Sequence, residues 1–250
     1  MIQADLSGRT AIVTGASSGF GRHFARVLAS HGATVVVMAR RADRLDSLVA
    51  EIEAAGGEAV PLALDVSDAE AVARAVDGLE RIDIVVNNAG VAGASPTLDC
   101  EEDEWRWTFD VNVHATWFVA RQAARHMIKA KRGGSIINIA SITGLRPGVS
   151  AVAYASSKAA VVHLTKALAM EWARYDIRVN AIAPGYFETD LNRELLQSDY
   201  GEVMRKRIPQ RRFGELADLD GPLLLLASEA SRYMTGSVIA VDGGHLVSPL

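Results

Sequence analysis

Cysteine is almost absent from this chain. Of 250 residues only Cys100 carries a thiol, so no internal disulfide framework and no cysteine-based zinc site can form. That economy fits a reducing compartment. The six histidines are scattered without ligand spacing, and no metal site is expected. No run of eighteen apolar residues occurs, and the start, MIQADLSGRTAIVTG, lacks a basic segment leading into an apolar one. The expectation is a soluble, cytoplasmic protein with no membrane partner. Positive charge is not in excess either: 26 basic residues face 30 acidic ones, for a net charge of -4, which argues against a nucleic-acid surface. Finally, no linker, repeat or low-complexity tract divides residues 1–250. A single domain is expected.

What the chain does have is a 49% hydrophobic share, enough for a buried sheet covered on both sides. Short β-branched runs at Thr10–Val13, Thr34–Met38, Ala59–Leu64, Ile82–Val86, Ser135–Ile139, Arg178–Ile182 and Val238–Val241 read as buried strands. Between them Gly21–His31, Ala42–Ala55 and Ala69–Leu79 carry helical periodicity. The alternation predicts an α/β fold with a doubly wound, mostly parallel sheet of seven strands and helices on both faces. Two longer helices are expected at Glu104–Lys129 and Ala153–Tyr175. Both are apolar around their circumference, and Trp105, Trp107, Phe109, Trp117 and Phe118 in the first cannot all face one sheet. A neighbouring layer or a second subunit must cover the rest, and the subunit is favoured. Glu101, Glu102, Asp103 and Glu104 complement the dipole where that helix begins.

The first strand runs into Thr14-Gly15-Ala16-Ser17-Ser18-Gly19-Phe20-Gly21 and then a helix. Glycines there permit a tight turn and close approach of a pyrophosphate, held by backbone N–H groups and the positive helix end. The second strand ends at Ala39-Arg40-Arg41, where an NAD-selective site would place a carboxylate for the ribose hydroxyls. Ala39 occupies that place, and the Arg40 guanidinium can pair with a 2′-phosphate. NADP(H) is favoured, with NAD(H) possible. If Arg40 and Arg41 only open a helix in solvent, the preference stays open.

Tyr154-Ala-Ser-Ser-Lys158 places a phenol and an ammonium one helical turn apart, with Ser141 thirteen residues upstream. Positions i and i+4 lie on one face roughly 6 Å apart, so Lys158 can favour the ionised phenol. Moving a phenol from a pKa of ~10 to ~7 takes about 4 kcal/mol, more than one screened ammonium supplies. A second positive charge is expected nearby.

These segments together resemble the short-chain dehydrogenase/reductase family over nearly the whole length. The residues that carry the resemblance are Thr14-Gly15-x-x-x-Gly19-x-Gly21, Leu64-Asp65-Val66, Asn87-Asn88-Ala89-Gly90, Asn112, Ser141, Tyr154-x-x-x-Lys158, Pro184-Gly185 and Val241-Asp242-Gly243-Gly244. The resemblance implies one Rossmann-like domain and a set of roles. Tyr154 would be the catalytic acid/base. Lys158 would hold the nicotinamide ribose and depress the Tyr154 pKa, the oxidised nicotinamide being the second positive charge. Ser141 would hydrogen-bond the substrate oxygen, and Asn112 would position a water in a proton relay. Gly15, Ser17, Ser18, Gly19, Phe20 and Gly21 would form the phosphate loop, Phe20 departing from the Ile often found there. Asp65 and Val66 would meet the adenine, and Asn88, Ala89 and Gly90 would wall the adenosine ribose. Pro184 and Gly185 would lead to Thr189 at the nicotinamide carboxamide, with Ile182 near the ring.

The expected activity is NADP(H)-dependent interconversion of a carbonyl compound and a secondary alcohol. A 3-oxoacyl carrier-protein reductase and a sugar or polyol dehydrogenase are the enzymatic alternatives. A non-catalytic cofactor sensor is the alternative outside enzymes, disfavoured because Ser141, Tyr154 and Lys158 are all present; an enoyl reductase would space its Tyr and Lys more widely. Substrate recognition is expected from Gly93–Thr97, Thr143–Val152 and a loop at about 186–213, with Leu145, Val149, Tyr186 and Phe187 suggesting an apolar pocket. The basic run from Arg205 to Arg212 could grip an anionic substrate or carrier protein but reads first as a solvated face or subunit contact, and Cys100 reads as unreactive between acidic residues. The resemblance also implies a homotetramer joined through the two long helices and the segment from Val238 to Leu250.

Overall fold

The computed structural model describes residues 4–93, 95–147, 151–188 and 193–248. Seven strands, β1 Thr10–Thr14, β2 Thr34–Ala39, β3 Glu58–Ala63, β4 Ile84–Asn87, β5 Gly134–Ile139, β6 Ile177–Pro184 and β7 Val238–Val241, form one sheet. Their order is β3-β2-β1-β4-β5-β6-β7, and every neighbouring pair is parallel. The sheet is thus wholly parallel among the described residues, where the sequence had indicated a mostly parallel one. Runs such as Ala11-Ile12-Val13 and Val35-Val36-Val37 are buried throughout, as strands sandwiched between two helical layers must be. The edge strand β3 is more exposed and carries Pro61, tolerable because an edge needs no full ladder of donors.

Alternate residues of each strand feed opposite cores. Ala11 and Val13 of β1 join Phe24, Leu28, Leu48 and Leu223 on one face, contributed by α1 Gly19–Ser30, α2 Ala42–Ala54 and a later helix at Asp220–Ala227. Ile12 joins Val72, Val119, Met127 and Leu168 on the other, contributed by α3 Ala69–Asp77, α5 Ala115–Lys129 and α6 Val152–Trp172. Preceding α5 is α4 Glu102–Phe109, joined to it by a π turn at Asp110–His114. The expected helix 104–129 is therefore one helical run from Glu102 to Lys129 with a π turn inside it. After β6 come α7 Arg193–Leu196, α8 Asp199–Arg207 and then α9 Asp220–Ala227. Among the described residues no helix is long and apolar enough to cross a membrane.

The chain starts mid-sheet at β1, winds outward to β3, then returns to β4 on the other side of β1. A crevice opens at such a reversal, beyond the carboxyl ends of the two diverging strands. Here those ends deliver Gly15 and Asn88.

Candidate active site at the sheet reversal

The two strand ends are fastened to each other. Thr14 Oγ1 accepts the Asn88 and Ala89 N–H groups, both at 3.0 Å, and Asn88 Nδ2 donates to the Thr14 carbonyl at 2.9 Å. Gly21 is needed because a Cβ there would lie 2.4 Å from the Gly15 oxygen. The loop between them opens α1 with no side-chain cap and no acidic residue in the first turn. Its N–H groups and positive dipole end are left for an anion. This donor set fits a pyrophosphate. Phe20 packs edge-on against Phe187, ring centroids 5.5 Å apart, so the departure from Ile ties the phosphate loop to the segment after β6.

At the far end of the cleft, Arg40 Nη1 stands 3.8 Å from Asp65 Oδ2, both side chains well exposed. Asp65 also accepts the Ser67 N–H and hydroxyl at 2.9 and 2.7 Å. Burial works against its ionised form, but the Ser67 bonds and the Arg40 charge hold the carboxyl below its ordinary value. Arg41 does more than open a helix. Its Nη2 donates to Ser17 Oγ at 3.0 Å and approaches Ser18 Oγ at 3.4 Å, arching over the phosphate loop.

The reacting end is built on α6. Lys158 is 4% exposed, and its Nζ donates to the Ile139 carbonyl at 2.8 Å. Burial pushes its ammonium down to about 8. Beneath it a buried chain locks β4, β5 and α6 together: Asn87 Nδ2 donates to Asn138 Oδ1, and Asn138 Nδ2 to Thr165 Oγ1, each at 2.9 Å. Asn112 sits in the π turn, completely buried. Its Oδ1 accepts the Val91 N–H at 2.8 Å while Nδ2 donates to the Val91 carbonyl and Ser157 Oγ, each at 2.9 Å. Both amide protons are thereby spent on protein, and a water held by Asn112 would have to donate to an oxygen. Gly90 fills the gap between this amide and the ammonium, since a Cβ there would meet Asn112 Oδ1 at 3.2 Å and Lys158 Nζ at 3.3 Å.

Ser141 ends β5's extension and caps a 3₁₀ turn at Ile142–Gly144. Its Oγ accepts both the Thr143 N–H, at 3.2 Å, and the Thr143 hydroxyl, at 2.9 Å. With those lone pairs engaged, the Ser141 proton is free to turn toward Tyr154, whose ionised form Ser141 favours. Burial pushes the Tyr154 phenol up, more than the nearby Ser141 hydroxyl pulls it down. That direction agrees with the expectation that one ammonium does not bring the phenol into the neutral range. The ammonium lies 5.7 Å from the Tyr154 ring centroid and gives a proton to Ile139 instead, so the second positive charge is required.

One cleft of about 540 Å³ is lined by Gly15, Ser17, Ser18, Gly19 and Phe20 at the phosphate loop, and by Arg40, Asp65 and Val66 at one end. Asn88, Ala89 and Gly90 line its floor, and Ser141, Tyr154, Lys158, Pro184 and Gly185 its other end. Gly21 packs beneath the loop and Asn112 behind Gly90. Ile182 is wholly buried in the core. Thr189 and Val149 lie outside the described residues.

Two lining residues, Arg41 and Trp107, and one residue behind the lining, Thr143, were not expected at the site. Arg41 reads in sequence as a solvated helix opener, although a basic residue just beyond a strand that faces two serines is a visible cue. Thr143 was assigned only to a recognition loop. Trp107, placed among the aromatics awaiting a partner, lines the cleft with Val111 one turn on, whereas Trp105 stacks on Phe109 at 4.9 Å. A 100° step per residue separates the two tryptophans onto different sides of α4. Trp105 lines a separate cavity with Val152 and Ala153.

Known proteins match this chain throughout. A family model described as short chain dehydrogenase matches residues 9–199. The gluconate 5-dehydrogenase of Gluconobacter oxydans is 40% identical, the match covering 97% of this chain and 96% of that protein. A 3-oxoacyl-(acyl-carrier-protein) reductase of Thermotoga maritima is 38% identical over 97% of this chain and 99% of its own. Among solved structures, a gluconate 5-dehydrogenase from Burkholderia cenocepacia, in complex with NADP and tartrate, superposes with a TM-score of 0.94 at 36% identity, both chains covered in full. A family model spanning most of the sequence, together with full-length relatives, places the chain in the short-chain dehydrogenase/reductase family.

Proposed function

We propose that this protein interconverts a secondary alcohol and a ketone, with Tyr154 as acid/base, Ser141 as the donor to the substrate oxygen, and NADP(H) as the preferred cofactor. The observation that carries the reading is the meeting of Ser141, Tyr154 and a buried Lys158 at one end of the cleft. When bound, the cofactor supplies or accepts the hydride. In the reducing direction Tyr154 gives its phenolic proton to the substrate oxygen. Ser141, its lone pairs occupied by Thr143, presents its hydroxyl proton to the charge that develops on that oxygen. Lys158 returns positive charge to the phenol side, while Asn112 and Gly90 fix the place of its ammonium. We assign the ribose to Lys158 and the carboxamide to Thr189. Arg40 and Arg41, with the Ser17 and Ser18 hydroxyls, make a cationic rim suited to a 2′-phosphate.

For substrate, the reading is a polyhydroxy compound of sugar-acid type, on the strength of relatives such as the gluconate 5-dehydrogenase at 40% identity. The acyl-carrier reductase is the second reading, favoured by its 38% identity. The basic run gives that reading little help. Arg205 pairs with Glu202, Arg212 pairs with Asp218, and Lys206 lies 3.8 Å from Glu202, so part of its charge is compensated within the chain. We also read residues 1–250 as one cytoplasmic domain that assembles as a homotetramer. Exposed Trp105, Trp117, Ile128, Val152 and Met170 on the two long helical segments support that assembly.

Titration of the protein with NADPH and NADH in parallel, followed by a panel of sugar acids, polyols, simple ketones and acyl thioesters, tests the reading. Tighter NADPH and turnover of a polyhydroxy acid are expected. Tighter NADH would overturn the arginine argument, and binding without turnover of any substrate would indicate a sensor.

A further inference from the structure

The two walls of the reacting end come from distant parts of the chain, and one guanidinium joins them. Arg146 follows the turn that Ser141 caps, its N–H bonded to the Ile142 carbonyl at 2.9 Å. That turn is seated firmly on α6, for a Cβ at Gly144 would come within 2.6 Å of the Lys158 backbone. From this base the Arg146 side chain crosses to the end of the sequence. Nη2 donates to the His245 carbonyl at 2.7 Å, and Nη1 to the Leu246 and Ser248 carbonyls at 3.1 and 3.2 Å.

The turn it grasps, His245–Val247, is preformed by Asp242. One carboxylate oxygen accepts the Gly244 N–H at 2.9 Å and the other the Leu246 N–H at 2.7 Å. The His245 ring then meets Tyr186 edge-on, centroids 5.4 Å apart and planes at 85°. Tyr186 lines the cleft beside Gly185. A continuous path therefore runs from the Ser141 turn through Arg146 and the last turn of the chain to the opposite wall. A five-donor planar fork can bind several carbonyls at once, which an ammonium on a flexible stem does poorly.

We infer that Arg146 is a positioning residue: by fastening the His245–Val247 turn to the Ser141 turn it holds Tyr186 in place and sets how tightly the substrate fits between them. The inference rests on the oxidoreductase reading above. It does not depend on which alcohol or ketone is turned over, because the spacing of the walls acts on whatever lies between Ser141 and Tyr186. Neither Arg146 nor His245 lines the cleft, so neither needs to touch the cofactor or the reacting atoms.

The test uses the best substrate of the panel and four variants: Arg146→Ala, Arg146→Lys, His245→Ala and the Arg146→Ala/His245→Ala double. Arg146→Ala should raise KM about tenfold, the size of one hydrogen bond to a charged group. Its kcat should stay within about threefold and its NADPH dissociation constant within about twofold, a split that places the loss in substrate fit. His245→Ala should raise KM less, and the double variant should be no worse than Arg146→Ala, since both changes cut one path. Arg146→Lys should recover only part of the affinity. Additive effects of the two single changes, an unchanged KM in Arg146→Ala, or a parallel loss of NADPH affinity would each overturn the inference. If Arg146→Ala fails to fold, His245→Ala decides, because an unchanged KM there breaks the link to Tyr186. Wild-type protein that binds NADPH but turns nothing over would sink the oxidoreductase reading instead, a result visible before any variant is made.

Discussion

The two ends of the cleft are built on opposite principles. At the reacting end Lys158 is 4% exposed and Asn112 wholly buried, each held by hydrogen bonds between 2.8 and 2.9 Å. At the opposite end, the one proposed for the adenosine, Arg40 and its partner Asp65 have side chains 68% and 43% exposed and stand 3.8 Å apart. The buried end is rigid and electrostatically costly. The exposed end is adaptable and screened. Chemistry that depends on placing a proton to within a few tenths of an ångström belongs to the first, and recognition of a charged group that solvent already tolerates belongs to the second.

The sharpest way to break this contrast is Tyr154→Phe, which removes one hydroxyl at the rigid end. Turnover should fall by about 10³-fold or more, the upper part of the range for a positioned acid/base, while NADPH affinity changes by less than about twofold. Single-turnover kinetics beside a fluorescence titration separates the two quantities, and a variant that retains turnover would remove Tyr154 from its role.

Lys158→Met tests the cost of that rigidity. With the ammonium pushed from 10.5 down to about 8, the unfolded chain binds more protons than the folded one between those two values, so wild-type stability rises with pH across that window. Below about 8 the burial cost is fully present, and above about 10.5 it has vanished. The variant should therefore be inactive yet more stable than wild type near pH 7, by about 1–3 kcal/mol after the lost bond to Ile139 is allowed for. That advantage should fade as pH climbs toward 10.5. Denaturant melts of both proteins from pH 7 to 10 would show it, and a constant difference would mean that the ammonium is not destabilised by burial.

Gly90→Ala perturbs the same end by one methyl. Its Cβ would press on Asn112 Oδ1 and Lys158 Nζ at 3.2 and 3.3 Å, and kcat should drop by about three- to tenfold, a displacement-sized effect. Equal activity would show that the ammonium gives way freely. The smallest effects belong to the exposed end. Arg41→Ala should weaken NADPH about five- to tenfold and leave NADH alone, the worth of a partly screened charge-assisted bond. Arg40→Ala should do less, because part of its charge already faces Asp65. Isothermal titration with both cofactors ranks the two arginines, and equal losses for NADH would mean that neither meets a 2′-phosphate.

The same contrast explains what was legible in the sequence. Strands β1, β2 and β5 could be read because residues buried on both faces must be apolar and β-branched, and the Gly15 to Gly21 turn because close approach excludes side chains. Tyr154, Lys158 and Ser141 were legible through local spacing. The π turn between α4 and α5 was not, since its extra residue leaves no mark in an already apolar helix. Nor was the direction of the Tyr154 shift. It depends on how much protein surrounds the phenol and on Lys158 turning to Ile139, neither of which is a property of a five-residue motif.

By itself, then, the order of residues determined the strand and helix alternation, the glycine-lined turn after β1 and the placing of Tyr154 and Lys158 one helical turn apart, because periodicity, glycine geometry and i,i+4 spacing are local. Only the tertiary structure decided that Arg41 bends over Ser17, that Trp107 faces the cleft while Trp105 stacks on Phe109, and that Arg146 reaches residues about a hundred positions away. Those contacts arise where separate strands end side by side, and their energies depend on burial and distance in space, quantities that exist only once the sheet has formed.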